Sequence, residues 1–224
     1  MLSIMEQRLA ERVALELKID VTQVAREYWE IVLLNRLFES PGSGDLVFKG
    51  GTALRLAYGS PRFSEDLDFS LLEDNLGGTF KELGSELARP FAIADITDLA
   101  AKRWTYLCEI RFTEDYLPQP FRIKLEISRR PAPGYRNELR LITSPTSPIQ
   151  ALCRLATLEQ LLQDKQVCIK DRAVPKDIFD LWFISQKMGI QYRPPDTKIT
   201  PRELRRELAK YLPSSYQRVI EELL

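Results

Sequence analysis

Apolar residues recur at helical intervals through the N-terminal part of the chain: Ile4, Leu9, Val13 and Leu17, then Val24, Tyr28, Ile31, Leu34 and Phe38. The spacing predicts two helices, Leu2–Leu17 and Val21–Phe38, with Asp20 and Thr22 as caps between them and Ser40-Pro41-Gly42-Ser43-Gly44 as the stop. They read as an amphipathic layer packed beside a sheet, with no chemistry assigned to them. The pattern then shortens. Leu46, Val47 and Phe48 form an apolar run, Gly50 and Gly51 a turn, and Thr52–Tyr58 a short helix with Leu54 and Ala57 on one face. After the breakers Gly59, Ser60 and Pro61, Asp66–Leu71 alternates as a strand. Leu76–Leu87 is expected as helix, and Ala92–Ile96, Trp104–Phe112 and Phe121–Ser128 as strands rich in β-branched and aromatic residues. Farther on, Thr157-Leu158-Glu159-Gln160 has the form of a capping box opening a helix that carries Lys165. Pro175 suits the first turn of a helix over Lys176–Met188, Tyr192–Pro201 reads as a loop, and Pro201–Leu224 as terminal helices. The expected fold is α/β (α+β): a small mixed, largely antiparallel sheet flanked by helices. Residues 1–145 would hold the N-terminal helices and the α/β core, and residues 146–224 a helical C-terminal subdomain.

Three places in this pattern carry candidate chemistry. A Gly-Gly turn between a strand and a helix leaves backbone N–H groups at the helix start, where the helix dipole also favours an anion, so Lys49, Gly50, Gly51 and Thr52 form a candidate phosphate cradle. Asp66 and Asp68, two apart on a strand, point to the same face and repel each other unless a cation lies between them. Magnesium suits such a pair, because it takes one or two carboxylates and completes its shell with waters and substrate phosphates. In Arg122-Ile123-Lys124-Leu125-Glu126-Ile127-Ser128 the alternation puts Lys124, Glu126 and Ser128 on one face, which makes Glu126 a candidate third carboxylate; an ordinary half-exposed strand gives the same alternation. On the later helix Asp177 and Asp180 are three apart and share a face, although an acidic residue this early also serves the helix dipole.

Composition narrows the chemistry. The 224 residues contain 32 basic and 32 acidic side chains and no histidine. A His-dependent triad, a histidine base and the usual zinc sites are therefore excluded, and carboxylates, Lys and Arg must do the work. With no global field, a nucleic-acid contact needs a local patch. Pro120–Arg140 offers one, with Arg122, Lys124, Arg129, Arg130, Arg136 and Arg140 against Glu126 and Glu138, and Tyr135 as a stacking surface; a solvated charged loop is the competing reading. Cys108, Cys153 and Cys168 are unclustered, as in reduced, mostly buried thiols. No signal-peptide pattern and no apolar run of membrane-spanning length occurs, so the expectation is a cytoplasmic protein with no membrane partner.

The order strand, Gly-Gly, helix and Asp-x-Asp resembles the first motif of the nucleotidyltransferase superfamily, the DNA polymerase β-like fold. More closely, K-G-G-T-A-L followed by R-F-S-E-D-L-D-F, with E-Q-L-L-Q-D-K and D-R-A-V-P-K-D-I-F-D-L later in the chain, resembles the AbiEii toxin family of bacterial toxin–antitoxin and phage-defence systems. The likeness spans Leu46–Phe183 in three separated blocks. It implies transfer of a nucleoside monophosphate from an NTP to an acceptor hydroxyl, with two Mg2+ ions on Asp66, Asp68 and Glu126. Gly50, Gly51, Thr52 and Ser64 would hold the triphosphate, Lys165 and Arg172 would neutralise its developing charge, and these two with Lys176, Asp177 and Asp180 take the family's positions in the two later helices and their link. The implied acceptor is RNA, foremost the tRNA 3′ end, gripped by Arg129 and Arg130, which blocks aminoacylation and stops growth. The implied partner is a separately encoded antitoxin, often a winged-helix regulator. Modification of a small-molecule or protein hydroxyl, or a non-catalytic binding protein of the same fold, are the alternatives.

Overall fold

The computed structural model describes residues 5–223. Leu2, Ile4 and Leu224, which belong to the predicted terminal helices, lie outside the described residues. The first helix, α1, runs Gln7–Leu17 and the second, α2, Val21–Glu39, with the Asp20 carboxylate accepting from the Thr22 amide at 2.8 Å. Instead of lying on the surface with one wet face, α2 is buried on nearly every side. Strands of the sheet pack on it from below and α1 and a later helix from the flanks, so even Arg26, Glu27 and Glu30 are buried. Trp29 anchors it, stacked on Phe112 at 4.7 Å between ring centroids and donating its indole N–H to Glu114 at 2.6 Å.

The remaining elements are β1 Leu46–Lys49, α3 Gly50–Tyr58, β2 Asp66–Leu71, α4 Phe80–Ala88, β3 Ala94–Ala101, β4 Thr105–Phe112, β5 Phe121–Ser128, β6 Asn137–Ser144, β7 Ser147–Ala156, α5 Leu158–Asp171, α6 Pro175–Met188 and α7 Pro201–Leu208. Among the described residues the strands form one seven-stranded sheet in the order β3-β4-β5-β2-β1-β7-β6. It is mixed: β2–β5 and β1–β7 are parallel, and the other neighbours antiparallel. The core of Phe48, Leu67, Phe69, Ile123, Leu125 and Leu155 fills the α2 side, and the opposite faces of β2 and β5 are left for the polar side chains of the cleft.

Two differences from the sequence pattern bear on the site. Residues 147–156, expected to open a helical segment, are strand β7, which pairs with β1 beside the Gly-Gly turn. After Pro201–Leu208 the chain continues as a 3-10 segment, Ser214–Glu222, and not as a further α-helix. The Phe63 amide bonds to the Tyr211 carbonyl at 2.8 Å, so this late segment is tied to the loop that leads into β2. Cys108 and Cys153 are buried thiols, both pushed up to about 12 by burial. No helix among the described residues is long and apolar enough to cross a membrane.

Candidate active site

Register builds the floor of the cleft. Across β1, β2 and β5 it sets Lys49 beside Asp68 and Asp68 beside Glu126; one step along, Asp66 pairs with Lys124 and Lys124 with Glu109 of β4. Because alternate side chains share a face, Asp66, Asp68, Lys124 and Glu126 all stand on the side of the sheet away from α2. Burial pushes the Asp68 carboxyl up to about 6, and repulsion from Asp66 adds to this while Lys165 and Lys49 oppose it. Asp66 is raised too, by burial first, with Lys124 and Lys176 pulling against it.

Both glycines of the turn are forced by this floor. Gly50 has φ +81°, a region costly for side-chain-bearing residues, and a Cβ there would sit 2.3 Å from a carboxylate oxygen of Asp68. A Cβ on Gly51 would meet the Arg62 guanidinium at 2.3 Å and the Ser64 hydroxyl at 2.8 Å. The start of α3 therefore lies directly against Asp68, Arg62 and Ser64, and its N-cap, Lys49, provides no side-chain cap. The leading amides of a helix lack intrahelical partners, so this end suits an oxyanion. Thr52 does a different job: it is fully buried, and its hydroxyl donates to the Asp66 carbonyl at 2.5 Å, fastening the helix to β2. Gly50→Ala is expected to lower stability by about 1–2 kcal/mol through the left-handed backbone alone, and by more through displacing Asp68. Thermal melts check this; an unchanged melting temperature refutes the packing argument.

Helices α5 and α6 supply the roof. Lys165 reaches Asp177 Oδ1 and Asp180 Oδ2, each at 2.7 Å. Burial disfavours its charge, yet Asp180 and Asp177 hold the ammonium well above the ordinary lysine range. Asp180, wholly buried, also receives both Nε and Nη2 of Arg62 at 2.8 Å. Asp180 thus acts as a buried tie between α6 and the loop before β2, with no face on the cleft, whereas Asp177 lines the cleft and its buried Oδ2 has no hydrogen-bond partner among the described residues. Lys176 donates to Glu65 at 3.0 Å and lies 4.0 Å above the Tyr211 ring.

These groups enclose a cavity of about 500 Å³ lined by Gly51, Ser64, Asp66, Asp68, Lys124, Glu126, Lys165, Arg172, Lys176 and Asp177. It continues into a lobe of about 270 Å³ past Lys49, Gly50, Thr105, Ser128 and Arg130. The fold therefore gathers at one cleft the residues proposed for metal, triphosphate and catalysis except Thr52 and Asp180, which are buried beneath it. Of the basic patch it brings Lys124 and Arg130 there, while Arg122, Arg136 and Arg140 lie elsewhere and Arg129 is turned away. That arginine is a strut: Nε donates to Asp74 at 2.7 Å, Nη1 to the Lys102 carbonyl at 2.8 Å, and the guanidinium lies 4.4 Å above the Tyr106 ring. Among the described residues no three carboxylate or thiol groups converge as a ready-made cation site. Glu126 is turned to Lys124, whose ammonium is 3.0 Å away.

Three contributors escaped the sequence pattern. Arg62 looks like a turn residue after Pro61, yet it is only 2% exposed. Glu65 accepts from Lys176 and from the Tyr211 hydroxyl at 2.5 Å and is ion-paired with Arg26 at 3.4 Å, gathering three distant elements beside Asp66. Lys124, read as a strand-face lysine, stands between Asp66 and Glu126.

The family model for the nucleotidyl transferase AbiEii toxin of type IV toxin–antitoxin systems matches residues 32–223. The chain belongs to the AbiEii family. It is a mixed α/β nucleotidyltransferase-family protein, and membership brings an NTP substrate and an antitoxin partner with it. Among solved structures, MenT4, a nucleotidyltransferase toxin from Mycobacterium tuberculosis H37Rv, is similar at 22% identity and TM-score 0.60 over 90% of this chain and 68% of that one. JHP933 from Helicobacter pylori is similar at 24% identity and TM-score 0.54 over 75% of this chain and 68% of that one. At these identities the likeness of the structures is one of fold. No curated protein matches the sequence. In this AbiEii-family chain the matched region takes in the Gly-Gly turn, the Asp-x-Asp strand and both roof helices.

Proposed function

We propose that this protein transfers a nucleoside monophosphate from an NTP to the 3′ hydroxyl of an RNA, with the tRNA 3′ end as the foremost acceptor, and thereby halts translation and growth. The observation that carries the reading is the placement of Asp66 and Asp68 on one face directly against the start of α3, so that a metal–triphosphate complex has its cation and anion sites side by side. The donor chemistry fits magnesium: hard carboxylate oxygens whose mutual repulsion a cation relieves, with Glu126 joining them once it leaves Lys124. Asp66, Asp68 and Glu126 would hold the metal, which when bound neutralises charge on the phosphates.

In the reaction the acceptor oxygen attacks the α-phosphorus, a new P–O bond forms, the bond to the β-phosphate oxygen breaks and pyrophosphate leaves. The acceptor proton would pass to a carboxylate such as Glu126, since the chain has no histidine to take it. The α3 amides and Ser64 would hold the triphosphate, while Arg172, Lys176 and Lys49 supply positive charge along its length. Lys165, neutralised by two aspartates, orients Asp177 at the cleft wall.

The test is incubation of the purified protein with each radiolabelled NTP, magnesium and total cellular RNA. With an α-phosphate label, radioactivity is expected in RNA and, after alkaline hydrolysis, in the 2′/3′-monophosphate of the nucleotide that had been the RNA's 3′ terminus. Label confined to protein or to small molecules overturns the RNA acceptor and leaves the transferase.

A further inference from the structure

The tip of the β3–β4 hairpin, Lys102-Arg103-Trp104, lies at the mouth of the cleft and is fixed there. The Arg129 amide donates to the Trp104 carbonyl at 2.9 Å and the Arg129 guanidinium to the Lys102 carbonyl at 2.8 Å, while Lys102 closes the turn onto the Thr105 carbonyl at 2.8 Å. Thr105, the residue after Trp104, pairs with Ser128, and both line the inner lobe together with Arg130. The surface therefore runs without interruption from the hairpin tip into the cleft.

Its composition is unusual for this molecule. Trp29 is buried and Trp182 packs against the core, but Trp104 is 45% exposed. The Arg103 guanidinium lies 4.9 Å from its ring centroid, and Lys102, Arg103 and Arg130 are all exposed. The acid close to this turn, Asp74, is taken up by Arg129. In a chain with no net charge, a turn with unspent cations around an exposed indole has the two elements of single-strand nucleic-acid binding, phosphate neutralisation and a stacking face.

We propose that this hairpin tip docks the unpaired 3′ segment of the RNA acceptor, a base stacking on Trp104 and Lys102, Arg103 and Arg130 contacting phosphates, so that the terminal ribose is fed past Thr105 toward Asp68. The inference rests on the RNA-acceptor reading above. It relocates the RNA grip: of the arginine pair singled out in the sequence, Arg130 keeps a phosphate role and Arg129 becomes the support beneath the platform.

The experiment measures binding of a short fluorescein-labelled single-stranded RNA with a free 3′ hydroxyl by anisotropy, at several salt concentrations, for wild type, Trp104→Ala, Trp104→Phe and Arg103→Ala. Both positions altered are exposed turn sites, so melting temperatures should match and serve as the folding control. Trp104→Ala is expected to weaken binding about tenfold, and Trp104→Phe to restore most of it, since one stacked base is lost and regained. Arg103→Ala is expected to flatten the salt dependence by about one phosphate contact. In steady-state transfer the Trp104→Ala effect should appear in KM for RNA and not in KM for the NTP, and shrink with a dinucleotide acceptor too short to reach the tip. Wild-type-like affinity and salt slope in Trp104→Ala and Arg103→Ala, with wild type binding and extending RNA, overturn the platform alone. Absence of RNA binding and transfer by wild type overturns the platform together with the acceptor reading.

Discussion

Asp68→Asn is expected to yield a folded protein without nucleotidyl transfer and with a melting temperature at neutral pH equal to or above that of wild type. The carboxylate is opposed by its surroundings, raised to about 6 by burial and by Asp66. A carboxyl whose folded pKa lies above its unfolded value contributes stability below the unfolded pKa of about 4, and that contribution is lost as pH rises through about 6. Above pH 6 the wild-type fold therefore bears an ionised pair that asparagine removes. On the proposed mechanism, in which Asp68 would hold the metal, its removal also forfeits several kcal/mol of transition-state stabilisation, about a thousandfold or more in rate. The two effects have opposite signs, which is the signature to seek: thermal melts across pH 4–8 should show the variant gaining on wild type as pH rises, while the transfer assay shows no product. Retained transfer by folded Asp68→Asn removes Asp68 from the mechanism.

Asp180→Ala should be the most destabilising substitution in the roof, at about 3–5 kcal/mol, because it strands the buried Arg62 guanidinium and takes from Lys165 one of its two carboxylates. Asp177→Ala, three residues earlier, leaves Lys165 still paired with Asp180 and should cost clearly less. Burial works against the Asp180 charge, but Arg62 and Lys165 hold its carboxyl below the usual range. Its contribution to stability is thus present above the unfolded carboxyl pKa and disappears as pH falls through the lower folded value. Denaturant titrations of the two variants at neutral pH, repeated for wild type at acid pH, test both statements; equal losses for Asp177→Ala and Asp180→Ala refute the assignment of Asp180 as the structural tie.

What was legible in the sequence is what local rules govern. The period-two alternation of Asp66–Leu71 and Phe121–Ser128 placed three carboxylates on one face, and the Thr157 cap is observed, its side chain accepting from the Gln160 amide at 3.3 Å. Strands β6 and β7 were missed because their outward positions carry Leu139, Leu141 and Leu152, exposed at 66%, 54% and 60%, so the wet face is apolar and the alternation of polarity disappears. Pro148 at the start of β7 hid it further. The roof was legible as residues and not as roles. Nothing local distinguishes Asp177 at the cleft wall from Asp180 beneath it; the difference comes from Arg62, 118 positions away. Arg129 and Arg130 are likewise neighbours with separate fates, because Asp74 and the Lys102 carbonyl claim one and leave the other at the cleft.

The tie between Arg62 and Asp180 also sets an order of events during synthesis. Strands β1 and β2 emerge early, but β2 cannot pair with β5 until the intervening hairpin has been made. Arg62 has no carboxylate until α6 follows, and Phe63 and Glu65 wait for Tyr211, with 146 positions between Glu65 and its hydroxyl partner. Such distant closures come late in folding. A growing chain on the ribosome therefore carries Asp66 and Asp68 without the scaffold that aligns them, and the cell that makes this protein is not exposed to a competent cleft until synthesis has passed Tyr211.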